Sequence, residues 1–269
     1  MSDRVAILGA GKMGEALLSG LLRSGRPCED LVISTRDVAR GQVLGERHQV
    51  EVKESADAVR DVDTIVIAVK PQDMGALLEE IGDHVRSEQL VVSVAAGIPT
   101  SFIEQRLARG TAVVRVMSNT PVLVDEAMSA ISPGAHAEER HLERAEALLR
   151  PVGRTIRVPE SQQDAVTALS GSGPAYFFYL VEAMTDAGIL LGLPRQVAHD
   201  LIVQTAIGAA VMLRDSGQSP QTLREAVMSP AGTTIAAIRE MEDHKVRAAF
   251  LAALEAARDR SRELASGHE

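Results

Sequence analysis

Two turns in this 269-residue chain combine residue types that can hold an anion. The first, 9-GAGKMG-14, follows the apolar run 5-VAIL-8 and opens a helical pattern. Gly9 permits a tight turn, Gly11 lets the backbone approach a pyrophosphate, and Gly14 lets helix and strand pack closely. Phosphate oxygens would then rest on free N–H groups at a helix N-terminus. The second turn, 229-SPAGTT-234, opens into the apolar stretch 235-IAAI-238. A helix start with free N–H groups suits a carboxylate, and Thr233 and Thr234 add hydroxyl donors. The same residues would also serve as a simple helix cap.

Around the glycine fingerprint the chain offers further cofactor contacts. The second strand ends in 33-ISTRD-37. An NAD site usually carries Asp or Glu there, whereas Ser34 and Arg36 occupy that place here, and an arginine can fork onto a 2′-phosphate. NADP(H) is therefore favoured, with one alternative: Arg36 solvated and Asp37 reaching the ribose. Farther on, 68-AVKPQ-72 closes a strand at Pro71 and presents Lys70, one of four lysines beside 24 arginines. The later segments 95-AAG-97 and 118-SNTP-121 are small and polar, leaving room for a nicotinamide ring.

Composition narrows the function classes. The formal charge of -9 disfavours nucleic acid and anionic membrane as partners. The single cysteine, Cys28, excludes a disulfide framework, and the seven histidines lack close ligand spacing, so no metal site is expected. The first apolar run starts within four residues of the N-terminus, and no uninterrupted apolar run approaches the roughly 20 residues of a bilayer span. A soluble cytoplasmic protein is expected.

The elements that must position these turns follow two grammars. Up to about residue 160, β-branched runs (4-RVAIL-8, 31-LVIS-34, 64-TIVIAV-69, 90-LVVSVA-95, 111-TAVVRVM-117) alternate with helical patterns such as 14–25 and 71–85. Continuous rather than alternating hydrophobicity marks parallel strands buried on both faces. Two weaker strands, 127–132 and 155–159, complete the layer. Beyond residue 160 long helical patterns take over at 174–192, 194–217, 220–228 and 245–266, with Pro174, Pro194 and Pro220 at their starts. The aromatic cluster 176-YFFY-179 is expected in the core, and 170-SGSGP-174 as a turn that brings backbone close to another surface.

Taken in order, GAGKMGEAL, AVKPQ, SNTPV, ALSGSGPAYFFYLVEAM and SPAGTTIAAI resemble pyrroline-5-carboxylate reductases nearly end to end. The resemblance implies an α/β Rossmann-type doubly wound domain over 1–159, followed by an all-α dimerisation and substrate domain over 160–269. It implies reduction of 1-pyrroline-5-carboxylate to L-proline, the last step of proline biosynthesis, by NADPH, with NADH as an alternative donor. A homodimer follows, often assembled into a ring of dimers.

Site residues carried over from the resemblance fall into two sets. The cofactor set begins with Leu8, Gly9, Ala10, Gly11, Lys12, Met13 and Gly14, then Ser34, Arg36 and Ser55. It continues with Ala68, Val69, Lys70 and Pro71, and ends with Ala95, Ala96 and Gly97. The substrate set is Glu160, Gly232, Thr233 and Thr234, with Thr234 the catalytic residue beside the ring nitrogen. Two departures stand out. Ala231 replaces a family glycine and should keep a negative φ or carry strain. Ser55 stands where many relatives have Asn. A 3-hydroxyacid-type dehydrogenase would want a lysine early in the second half, where only the distant Lys245 follows Lys70. A regulator that had lost the chemistry would have lost the threonine turn.

Overall fold

The computed structural model describes residues Asp3–Ser266. Eight strands form one sheet: β1 (Val5–Leu8), β2 (Leu31–Ser34), β3 (Glu51–Val52), β4 (Thr64–Ile67), β5 (Leu90–Ser93), β6 (Ala112–Met117), β7 (Ala127–Pro133) and β8 (Gly153–Arg157). Their spatial order is β3-β2-β1-β4-β5-β6-β7-β8. The first six are parallel, β7 runs antiparallel to β6, and β8 is parallel to β7. Strand order reverses between β1 and β4, the switch point at which doubly wound sheets bind ligands.

Alternate residues of each buried strand feed opposite faces, so the sheet carries two cores. Val5, Ile7, Leu31 and Ile33 pack under α1 (Lys12–Arg23), α2 (Val38–His48) and α6 (Glu139–Leu149). Ala6, Leu8, Val32, Ile65 and Ile67 face α3 (Ser55–Ala58), α4 (Met74–Ile81) and α5 (Thr100–Glu104). The one strand the pattern did not announce is β3, whose two residues are exposed.

The segment after β8 departs from the expected turn at 170–174. Helix α7 (Gln163–Val166) runs into a π-helical stretch, Thr167–Gly171, and then α8 (Gly173–Leu190). The Ser172 N–H donates to the Thr167 carbonyl at 2.8 Å, the widened spacing of a π turn. Asn119 Nδ2 donates to the Ser170 carbonyl at 3.2 Å, satisfying a group in this stretch. Gln163 Nε2, buried, donates to Ser132 Oγ at 2.7 Å. These bonds tie residues 160–172 to the sheet. By compactness the division therefore falls at Gly173, later than the 159/160 division suggested by the pattern. One unit comprises the described residues to Ser172 and those from Ala257; the other is Gly173–Ala256.

The second unit contains α8, α9 (Arg195–Asp215), α10 (Pro220–Ala226), α11 (Thr233–Asp243) and most of α12 (Val246–Ser266). Gly188 lets α8 and α9 approach, since a Cβ there would lie 2.7 Å from the Ala198 Cβ. Within 173–256 only Gly173, Thr185 and Ala198 are buried. The aromatic cluster, expected in the core, is instead open: Phe177, Phe178 and Tyr179 are 66%, 68% and 75% exposed. A single chain has too few facing helices here to cover an apolar surface on all sides. Among the described residues, α9 alone is long and apolar enough to cross a membrane by length and composition.

Candidate functional site

The C-terminal ends of β1, β2 and β4 are stitched together by backbone. The Gly9 N–H donates to the Ser34 carbonyl at 2.8 Å, and the Ala68 N–H to the Leu8 carbonyl at 2.7 Å. Gly9 has φ +104°, and a Cβ on it would lie 2.7 Å from the Ala68 carbonyl. Gly14 is equally constrained, since its Cβ would meet the Gly9 carbonyl oxygen. Gly11 differs. Its φ is -73°, and an added Cβ would meet nothing within 4 Å. No protein atom demands glycine there, and the position leaves the turn open to a ligand in the crevice. Gly11 also caps α1 without a side-chain bond, leaving the N–H groups of Lys12, Met13 and Gly14 free of intrahelical partners. These features fit a dinucleotide pyrophosphate.

The crevice beside this turn has a volume of about 500 Å³. Leu8, Gly9, Ala10, Gly11, Ser34, Arg36, Ser55, Ala68, Val69 and Lys70 line it. Lys12, Met13 and Gly14 form the first turn of α1 and lie outside this lining. Pro71 begins the short 3-10 helix Pro71–Asp73, and Ala95, Ala96 and Gly97 follow β5, all outside this lining. Sequence reasoning missed Arg40, Asp73 and Glu80, which also line the crevice. The available signal was their helical spacing after the ends of β2 and β4.

The ribose end is polar and ordered. Ser34, nearly buried, shares a hydrogen bond of 3.1 Å with Ser55. Asp37 spends its carboxylate on capping α2, accepting from the Arg40 N–H at 3.0 Å. Asp37 also lines the crevice. Arg40 pairs with Glu15 at 2.7 Å and also bonds the Ala10 carbonyl. Arg36 stands out from the β2 end, 72% exposed, and pairs with Asp73 at 2.5 Å.

Glu160 is already engaged. Its carboxylate accepts from the Thr100 N–H at 2.8 Å, the Thr100 hydroxyl at 2.7 Å and Arg115 Nη1 at 3.2 Å. Thr100 opens α5, and the Arg115 side chain is almost wholly buried in β6. These contacts make Glu160 a brace within the first unit, tying Thr100 at the start of α5 to Arg115 of β6.

The second turn lies in the helical unit. Gly232 is the N-cap of α11, with no side-chain cap, and its N–H donates to the Ser229 carbonyl at 3.0 Å. A Cβ on Gly232 would fall 2.3 Å from Ser229 Oγ. By helix geometry the N–H groups of Thr233, Thr234 and Ile235 have no partner in α11. Thr233 is exposed and Thr234 half-buried. Ala231 has φ +58°, so the sequence alternative of strain is the one realised. Among the described residues no cluster of His, Cys, Asp or Glu could hold a metal ion.

Comparison with known proteins covers the whole chain. A family model described as pyrroline-5-carboxylate reductase dimerisation matches residues 160–264, and one described as NADP oxidoreductase, coenzyme F420-dependent, matches residues 4–97. A pyrroline-5-carboxylate reductase of Mycobacterium tuberculosis is 44% identical over 97% of this chain and 96% of its own length. A solved pyrroline-5-carboxylate reductase from Coxiella burnetii superposes with a TM-score of 0.93 at 33% identity, covering 98% of this chain and 99% of that one. A Plasmodium falciparum pyrroline carboxylate reductase with NADP bound gives 0.87 at 27% identity, over 98% of each chain.

Proposed function

The chain belongs to the pyrroline-5-carboxylate reductase family, and from that premise we propose how its residues divide the work. It is an oxidoreductase that reduces 1-pyrroline-5-carboxylate to proline. Its first unit takes the nicotinamide cofactor, in our reading NADPH before NADH. The observation that carries this reading is the crevice at the β1–β4 switch point, lined by the turn Gly9–Gly11 and by Ser34 and Arg36 at the end of β2.

When bound, the nicotinamide supplies hydride to the carbon of the cyclic C=N bond. The protein's task is to hold the ring and manage one proton. The free N–H groups of Thr233 and Thr234, on the positive end of α11, hold the substrate carboxylate. Gly232 lets Ser229 fold closely over the start of the helix, which sets the shape of the turn. The Thr234 hydroxyl donates to the ring nitrogen and relays a proton from water as the amine forms. With no acid of perturbed pKa needed, fixing the ring supplies most of the acceleration.

The open apolar faces of α8 and α9 support assembly through the second unit into a homodimer, rather than insertion of α9 into a bilayer. Closing such dimers into a ring and a cytoplasmic location, as the last enzyme of proline biosynthesis, complete the reading. Thr234→Ala tests the substrate turn. A fall in kcat/KM of about one to two decades is expected, comparable to losing a charge-assisted hydrogen bond. Unchanged kinetics would remove Thr234 from the mechanism.

A further inference from the structure

The cofactor crevice opposes Arg36 with an acid on a backbone-held turn. Asp73 ends the 3-10 helix Pro71–Asp73, and its N–H donates to the Lys70 carbonyl at 2.9 Å. Pro71 fixes the start of that turn. The Asp73 side chain is 28% exposed against 72% for Arg36, and caps no helix. Asp73 is the more buried of the two, and its backbone is held by the turn. Both line the crevice, and their 2.5 Å contact spans from the residues after β2 to those after β4.

We propose that Asp73 is a specificity-determining residue that narrows the preference for NADPH over NADH. This rests on the reading of Arg36 as the 2′-phosphate ligand. A 2′-phosphate claims the guanidinium that Asp73 already holds, and its charge is repelled by the neighbouring carboxylate. A 2′-hydroxyl makes neither demand, so NADH binds with the ion pair intact. Both effects have the same sign. An exposed pair of this kind is weak, so the handicap on NADPH is about threefold to tenfold. The acid that makes the site look poorer for NADPH is then also what leaves NADH usable.

The test is calorimetric binding of 2′,5′-ADP and 5′-AMP, which differ only in the 2′-phosphate, to the full-length protein. Wild type, Asp73→Asn, Arg36→Gln and the double variant are compared, with unfolding midpoints as a check on folding. Asp73→Asn should tighten 2′,5′-ADP about threefold to tenfold while 5′-AMP stays within about twofold. Arg36→Gln should weaken 2′,5′-ADP alone, and Asp73→Asn should gain less in that background. If Arg36→Gln weakens 2′,5′-ADP but Asp73→Asn does not tighten it, the inference is overturned and the Arg36 reading stands. If Arg36→Gln leaves 2′,5′-ADP binding unchanged, the Arg36 reading itself falls and takes this inference with it.

Discussion

Glu160 grips Thr100 with both carboxylate oxygens, one on the backbone N–H at 2.8 Å and one on the hydroxyl at 2.7 Å. The same carboxylate offsets the buried Arg115. It therefore braces the start of α5 and the loop 95–99 that precedes it, which carries Ala95, Ala96 and Gly97.

Glu160→Ala should thus cost stability before it costs substrate affinity. It leaves Arg115 buried with its charge uncompensated. The expected loss is about 2 kcal/mol, below the range for fully buried pairs because Glu160 is partly solvated. Denaturant midpoints at fixed protein concentration would read it, with KM for pyrroline-5-carboxylate changed little. A large rise in KM with an unchanged midpoint would instead make Glu160 a substrate contact.

Ala231 sits at φ +58°, a conformation in which a Cβ costs roughly 1–2 kcal/mol. Ala231→Gly relieves that strain but adds freedom to the unfolded chain. A net stabilisation of about 0.5–1 kcal/mol is expected, with the geometry of the substrate turn retained. Destabilisation would mean that the turn relaxes to a negative φ in solution.

The fingerprint glycines separate folding from binding. Gly11→Ala places a methyl where no protein atom lies. Folding stability should shift by less than about 1 kcal/mol, while cofactor affinity falls sharply. Gly14→Ala drives a Cβ into the Gly9 carbonyl oxygen, and should destabilise by about 1–3 kcal/mol as an overpacked contact. Equal affinity losses with no difference in stability would contradict the assignment of Gly11 to the ligand.

What the sequence made legible depended on how local each signal was. Strands such as 31-LVIS-34 announce themselves, because burial on both faces leaves an unbroken β-branched run. The two exposed residues of β3 carry no such run. The glycine turn was readable because Gly9 and Gly14 answer nearby backbone contacts and Gly11 completes the local spacing. Glu160 was not, because its partners Thr100 and Arg115 lie 60 and 45 residues away. Asp73 was hidden likewise, since its meaning depends on the Arg36 it faces. Phe177, Phe178 and Tyr179 read as core because hydrophobicity reports that a surface will be covered, not that the same chain covers it.

The most direct measurement follows NADPH oxidation by the purified full-length protein, with and without pyrroline-5-carboxylate, repeated with NADH, and with proline quantified as the product. The account predicts oxidation that depends on the imine, proline formed in equal amount, and faster turnover with NADPH. No imine-dependent oxidation with either cofactor would contradict it.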